Sequence, residues 1–358
     1  MATQAKHVNT SPWYSVKLRD FGVKASVTLF ATVILIAYLM PFGNMALIAL
    51  KSQDQLKASA QSNTVLPVSP QVFAYEGKDY DVYSVPTESG VQQWALFKKG
   101  RDSSQFIDPA NPGAGPQEWV GQWRALEPAT NFDPTWSNFS EAWEKIKFPR
   151  LFFNTLAIAT IGITGTLISS VSVAYAFARF PIPGKNILFI ILIGTIILPG
   201  QVTLVPTYAF FASIGWTGTW LPLTVPHFFA NAYNVFLLRQ YFMTLPKELD
   251  EAAMIDGAGP FRILMSVILP VSWPVIISVA LFHFVFAWND YFGPLLYLLG
   301  KPELQPISVG VQIFNFQYGP RPELVQATSL MALVLPLVLF FFAQRFFMRG
   351  VILTGVDK

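Results

Sequence analysis

Residues able to do covalent chemistry are few in this chain and stand in the wrong places for it. There is no cysteine, which excludes thiolate nucleophiles, thiolate metal sites and disulfides, and the three histidines, His7, His227 and His283, have no zinc-ligand spacing. No GxxxxGK[ST] loop occurs, so the chain has no phosphate cradle with which to hydrolyse ATP. What remains is a set of polar residues in apolar surroundings: Gln201, Tyr208, Asn231, Asn234 and the run Trp288, Asn289, Asp290, Tyr291. Polar side chains are expensive in hydrocarbon, so they either join neighbouring helices or face a pathway for a polar solute. Consecutive residues point around a helix, so the four of the run cannot all face one cavity. Asp290 as a lone intramembrane carboxylate would suit a proton relay, but His283 is not at the three- or four-residue spacing of a helical partner. A carboxylate hydrogen-bonded to its neighbours at the interface is the better reading, and His227 reads as a helix-contact residue.

The elements that must position these residues are set by composition. Of 358 residues 53% are hydrophobic, 15% aromatic and only 13% charged, and the mean hydropathy is +0.43, more apolar surface than a soluble fold can hide. The net charge of +3 is too small to argue for nucleic acid. A helix needs about 20 mostly apolar residues to cross a bilayer, and six segments qualify: Ala25 to Ile48, Leu151 to Phe177, Ile187 to Phe210, Leu221 to Phe242, Pro274 to Leu298 and Leu324 to Phe347. Pro41, Pro199, Pro206, Pro226 and Pro336 interrupt them, as is tolerated where neighbours satisfy the freed carbonyls. The polar start is too long for a cleavable signal, which makes the first apolar run an anchor. Basic residues cluster at Lys17, Arg19 and Lys24, at Arg179 and Lys185, at Arg239 and Lys247, and at Arg345 and Arg349, which places both termini in the cytoplasm.

The expectation is therefore an all-α membrane protein of six transmembrane helices with a small β-rich extracytoplasmic insertion between the first two. Residues 1–24 form a cytoplasmic N-terminus, 25–50 the first helix, 51–150 the insertion, 151–347 the remaining helices and 348–358 a cytoplasmic tail. Within the insertion, YDVYSV and VQQWALF alternate between the turn signals EGK, ESG and KKGRD, the pattern of a β-meander. Asn138 followed by Glu141 has the spacing of an N-cap and its reciprocal partner at the start of a helix. The tryptophans of the insertion read as its core rather than as a ligand platform.

The polar segment Pro246 to Pro270, PKELDEAAMIDGAGPFRILMSVILP, is longer than a return to the membrane requires. Pro246 suits a first helical turn, and Glu248, Asp250 and Glu251 sit where the helix dipole favours negative charge. Gly257 can take the left-handed conformation that ends the helix after about three turns, and Gly259-Pro260 opens a second. Leu249, Ala252, Ala253 and Asp256 share a face on which two alanines admit a close approach. On these grounds a docking hairpin for another protein and an amphipathic stretch on the inner membrane surface stand level.

Glu251-Ala252-Ala253, Gly257 and Val267-Ile268-Leu269-Pro270 resemble the EAA loop of permease subunits of binding-protein-dependent ABC importers. AYAFARF at 174–180, LPGQVTLVPTY at 198–208, NVFLLRQYF at 234–242, AWNDYFGPLL at 287–296 and the C-terminal QRFFMRGVILTGV resemble in particular the sugar-importer branch that contains the smaller maltose-type permease subunit. Val267 replaces the usual isoleucine, and the insertion of about 80 residues departs from that branch. The resemblance implies a bacterial inner-membrane, non-catalytic translocation subunit for a sugar, an oligosaccharide or related glycoside. Glu248, Leu249, Asp250, Glu251, Ala252, Ala253, Asp256 and Gly257 would seat in a cytoplasmic ATPase dimer. It further implies a second permease subunit as heterodimer partner and an extracytoplasmic solute-binding protein. No cofactor is then bound by this chain, ATP and Mg belong to the ATPase subunits, and the other contacts are with membrane lipid, not nucleic acid. For a sugar, the polar intramembrane residues named above become the candidate contacts, although in the maltose-type relative the partner permease carries them. Two other classes stand against this one. An autonomous secondary transporter or channel for small polar solutes needs ionisable residues repeated across several spans, and a membrane-anchored sensor does not need six spans.

Overall fold

The computed structural model describes residues 16–352 except 63, 88, 317 and 318. The chain divides into two units, residues 1–138 and 139–358.

The first unit begins with helix α1 (Val16–Ala49), an apolar rod that carries Pro41 within it, and a short amphipathic α2 (Gln53–Ser62). Eight strands follow: β1 (Val68–Pro70), β2 (Val72–Tyr75), β3 (Lys78–Thr87), β4 (Gly90–Lys98), β5 (Ser103–Ile107), β6 (Gln117–Val120), β7 (Glu127–Pro128) and β8 (Thr130–Phe132). Strands β2 to β6 form an antiparallel meander with β7 added to β3, and β1 pairs with β8. The β2–β3 hairpin turns on Glu76 and Gly77, both at positive φ (47° and 75°), as a two-residue primed turn requires. Alternation along the strands sends Val82, Ala95 and Ile107 into one cluster and Val85, Leu96 and Phe106 into another. Trp94, Trp119 and Trp123 are partly buried against the second cluster, as expected of core, whereas Trp136 and Trp143 are exposed and depart from that expectation. Another expectation fails here. Asn138 is not an N-cap: it lies inside the next helix, and its amide donates to the carbonyls of Ala49 and Lys51 at 2.8 and 2.9 Å. Two otherwise unpaired carbonyls at the end of α1 compete successfully for the side chain.

The second unit is helical. In chain order it holds α3 (Ser137–Lys145, its start in the first unit), α4 (Phe148–Arg179), α5 (Lys185–Gly194), α6 (Gly200–Ser213), α7 (Leu221–Thr224), α8 (Ala232–Thr244), α9 (Glu248–Ile255), α10 (Pro260–Ile263), α11 (Leu269–Val271), α12 (Trp273–Asn289), α13 (Phe292–Tyr297), α14 (Ile307–Gly310), α15 (Ile313–Phe316) and α16 (Pro322–Ile352). Helix α4 is central. Its Val171, Ala174 and Tyr175 join Val235, Leu238 and Phe242 of α8, Ile263, Leu264 and Ile268, and Ile276 and Val279 of α12 in one buried cluster. Burying side chains of this size stabilises by roughly 1.5–3 kcal/mol each relative to water, and within lipid the gain is close packing instead.

Among the described residues three helices are long and apolar enough to cross a membrane: α1 from Asp20, α4, and α16 to Gln344. Two bent pairs, Lys185–Ile197 with Val202–Ser213 and Pro260–Val271 with Trp273–Asn289, pass the same test jointly with bends of 99° and 83°, giving up to five. The fourth expected span, Leu221 to Phe242, is not one helix. Pro222 and Pro226 lack the amide hydrogens a continuous ladder needs, and the segment folds as α7, a 3-10 turn over Val225–Phe228, and α8. The fifth is likewise shorter than expected, since α12 stops at Asn289 and α13 starts afresh at Phe292.

Candidate functional site

Helix α9 begins after Lys247 with Glu248, Asp250 and Glu251 in its first turn, where their charge meets the positive end of the dipole. It spans eight residues, so it is nearer two turns than the three expected. Its end is fully specified: Gly257 sits at φ 79°, its N–H donates to Met254 O at 3.0 Å, and Ala258 N–H donates to Ala253 O at 2.9 Å. Those two bonds make a Schellman cap, which satisfies carbonyls that the helix end leaves free. Gly259 then leads into Pro260 at the first position of α10.

Glu248, Leu249, Glu251, Ala252 and Asp256 are exposed along with Gly257, and Ala253 is half-buried. Met254 and Ile255 are also exposed, Ile255 at 87%, which leaves an acidic and apolar surface without cover. Asp250 faces the other way. Its Oδ2 lies 3.0 Å from Arg179 Nε at the end of α4, and both side chains are only 8% exposed. Arg179 also donates to Leu245 O at 3.1 Å, and Tyr175 Oη donates to Pro260 O at 3.4 Å. Asp250 is thus an internal anchor of the hairpin within this chain. The sequence offered both charges but no spacing rule that joins them, and Arg179 entered only as a basic residue at a membrane edge.

Beyond Pro260 the chain makes a π turn over Leu264–Ile268 and breaks at Ser272 between α11 and α12. Pro270 and Pro274 remove two ladder donors around that break. The exposed hairpin is therefore tied by an ion pair to α4 and by the backbone to α12.

The polar intramembrane candidates separate into three places. Trp288, Asn289 and Tyr291 line a cleft of about 380 Å³ with Ser308, Gln312 and Thr328. Asn289 there donates to Val285 O at 2.8 Å, and Trp288 is buried against Phe152 and Phe284. Asp290 does not line it. Its carboxylate accepts from Gly293 N–H at 3.3 Å and its carbonyl from Ser308 Oγ at 2.6 Å, so it closes the break between α12 and α13. Asn231 and Asn234 line a second cleft, of about 320 Å³, together with His227 and His283. The reading of His227 as a helix-contact residue holds, since its ring lies 4.4 Å from that of His283 in α12, a partner the sequence did not indicate. The third place is α6, where Tyr208 stacks on Tyr297 at 6.0 Å; the side chain of Gln201 lies outside the described residues.

No group of three or more His, Cys, Asp or Glu that could hold a metal ion occurs among the described residues. In the second cleft Thr166 Oγ1 lies 3.2 Å from His283 Nδ1, a hydroxyl–imidazole contact with no carboxylate among the lining residues to orient the ring.

Comparison with known proteins gives a consistent picture. Residues 168–351 match the family described as binding-protein-dependent transport system inner membrane component. The chain is 33% identical over 244 residues to the osmoprotective compounds uptake permease protein of Synechocystis sp., covering 67% of this chain and 80% of the relative. It is 32% identical over 228 residues to the sn-glycerol-3-phosphate transport system permease protein of Rhizobium meliloti, covering 63% and 80%. To the alpha-glucoside transport system permease protein of the same organism it is 30% identical over 232 residues, covering 62% and 60%. Among solved structures, a chain of a bacterial ABC transporter involved in import of the acidic polysaccharide alginate superposes with a TM-score of 0.63 at 19% identity, covering 94% of this chain and 100% of that one.

Proposed function

The chain belongs to the family of binding-protein-dependent transport system inner membrane components, and on that premise we propose that it forms part of the translocation pathway of an ATP-driven importer for a sugar or related glycoside. It is a non-catalytic permease subunit with the type I importer fold, and ATP is hydrolysed on a separate subunit. The partners in this reading are an ATPase dimer that holds the ATP and Mg, a second permease chain and an extracytoplasmic binding protein. Six crossings follow if the three long helices, the two bent pairs and the broken segment from Leu221 to Thr244 each span once. An even number puts both termini on the cytoplasmic side, which the basic clusters favour, and the β-sheet region outside.

One observation carries the reading: an uncovered acidic and alanine-rich helix, capped at Gly257 and fixed to α4 by the buried Arg179–Asp250 pair. Such a hairpin passes force. A partner that grips Glu248, Glu251, Ala252 and Asp256 pulls on α4 through the ion pair and on α12 through Pro260 to Ser272. A glycoside is supported by the relative named for alpha-glucoside transport, while another relative is named for sn-glycerol-3-phosphate transport.

A photocrosslinking residue at Ala252 tests the docking. In the assembled complex it should capture the ATP-binding subunit, with a yield that changes between nucleotide-free and ATP-bound states. A crosslink formed only to lipid would contradict the assignment.

A further inference from the structure

We propose that the second cleft is a subsite, within this subunit, for an uncharged polyhydroxylated solute, a proposal that rests on the transport reading above and specifies its cargo. The cleft sits where a helix is broken: His227 lies in the 3-10 turn before α8, and Asn231 caps α8 by accepting from Tyr233 N–H and Asn234 N–H at 3.0 and 3.3 Å. On the opposite wall Thr166 lies about half-way along α4, at roughly 1.5 Å per residue. Broken helices half-way through a membrane are where transporters place their binding groups.

The fold uses part of the polar capacity there, as at Asn231, but not all of it. Asn234 is 7% exposed, it lines the cleft, and its side-chain amide hydrogen-bonds to nothing among the described residues. His283, 6% exposed, has Nδ1 3.2 Å from Thr166 Oγ1 and an Nε2 with no hydrogen-bond partner. A buried amide left open costs free energy unless something fills it, whereas His283 Nε2 is shut in against Gly162. Gly162 makes this packing possible, since a Cβ there would lie 2.6 Å from His283 Nε2 and 3.3 Å from His227 Cδ2. The Asn234 amide supplies both donors and an acceptor, the pattern a hydroxyl needs. Phe282 and Phe286 add apolar walls for the carbon skeleton. None of the residues lining the cleft is Asp, Glu, Lys or Arg, so a charged cargo would find no counter-charge here.

The test uses the assembled importer in proteoliposomes, with maltose as an uncharged glycoside and sn-glycerol 3-phosphate as an anion. Asn234→Leu is close to isosteric and removes an amide that pairs with no protein group, so thermal stability should be unchanged or higher, while KM for maltose uptake should rise about tenfold. An unchanged KM would overturn the subsite, and so would a fall in stability with KM intact, which marks a helix-joining residue. Because the chain has no cysteine, Asn231→Cys introduces a single thiol on this subunit. A charged, membrane-impermeant methanethiosulfonate reagent should modify it, and maltose should slow that reaction several-fold where sn-glycerol 3-phosphate does not. A thiol that is inert, or insensitive to maltose, points to a lipid-covered cleft and overturns the proposal. Preferential protection by the phosphate would overturn the uncharged class. A wild-type complex that accumulates neither compound counts against the sugar reading itself, before any variant is measured, and takes the subsite with it.

Discussion

At the residue scale, two positions decide whether the hairpin works. Gly257 holds φ 79° with open space where a Cβ would stand, so the cost of replacing it is purely conformational, about 1–2 kcal/mol for an L-residue in the left-handed region and more for a β-branched one. Gly257→Val should therefore unravel the Schellman cap, weaken co-purification of the ATPase and reduce uptake, while circular dichroism of the membrane helices stays unchanged. Full ATPase retention with normal transport would count against the assignment. Asp250 tests the anchor. Asp250→Asn leaves Arg179 buried without a counter-charge, a loss of about 3–5 kcal/mol for a buried pair broken on one side. Thermal unfolding should fall accordingly, and Arg179→Met with Asp250→Leu should recover part of it; a double variant no better than the single one would show that the pair is not the relevant contact. The glycine and the acidic helix start were legible because each obeys a local rule. The ion pair was not, because it joins positions distant in sequence, and no one-dimensional pattern encodes that contact.

At the scale of elements, α3 is joined to the start of α16 by charge. Glu141 accepts from Lys145 at 2.6 Å and from Arg321 at 3.2 Å, and Arg321 also pairs with buried Glu323. The hydrogen bond from Lys145, helped by the nearby Arg321 charge and opposed by partial burial, holds the Glu141 carboxyl below its ordinary value. Its contribution to stability is then complete above the unfolded pKa of about 4.3 and is lost as the pH falls through the lower folded value. The unfolding temperature should show a step below about pH 4.3 that is absent in Glu141→Gln; identical profiles would remove Glu141 from the account. Long apolar helices such as α4 and α16 could be read from hydropathy alone, and the alternation of β3 and β4 from period two. Breaks inside apolar runs were harder to read. Proline tells where a ladder can fail, but whether the helix bends, as at Pro270, or carries on, as through Pro206 and Pro336, depends on neighbours that satisfy the freed carbonyls. Tertiary competition also took Asn138 from the cap expected of it.

At the scale of the whole molecule, the chain has the parts of one member of a machine. It holds an uncovered hairpin where another subunit's grip would enter, α4 as the strut that receives it, and polar clefts on helices that pack against that strut. Asn231 and Asn234 were legible as polar residues out of place. The contact between the histidines that share their cleft was not, because a 4.4 Å ring approach between an α7–α8 turn and α12 arises only once both pack on the glycine face of α4. On the proposed reading the exposed hairpin meets a partner subunit, so the most direct test is solute accumulation by the reconstituted chain with and without its partners. In proteoliposomes, the glycoside carried by the proposed importer should be concentrated only when the ATPase, the second permease and the binding protein are present and ATP is supplied. Uphill accumulation by this polypeptide alone, without nucleotide, would contradict the account.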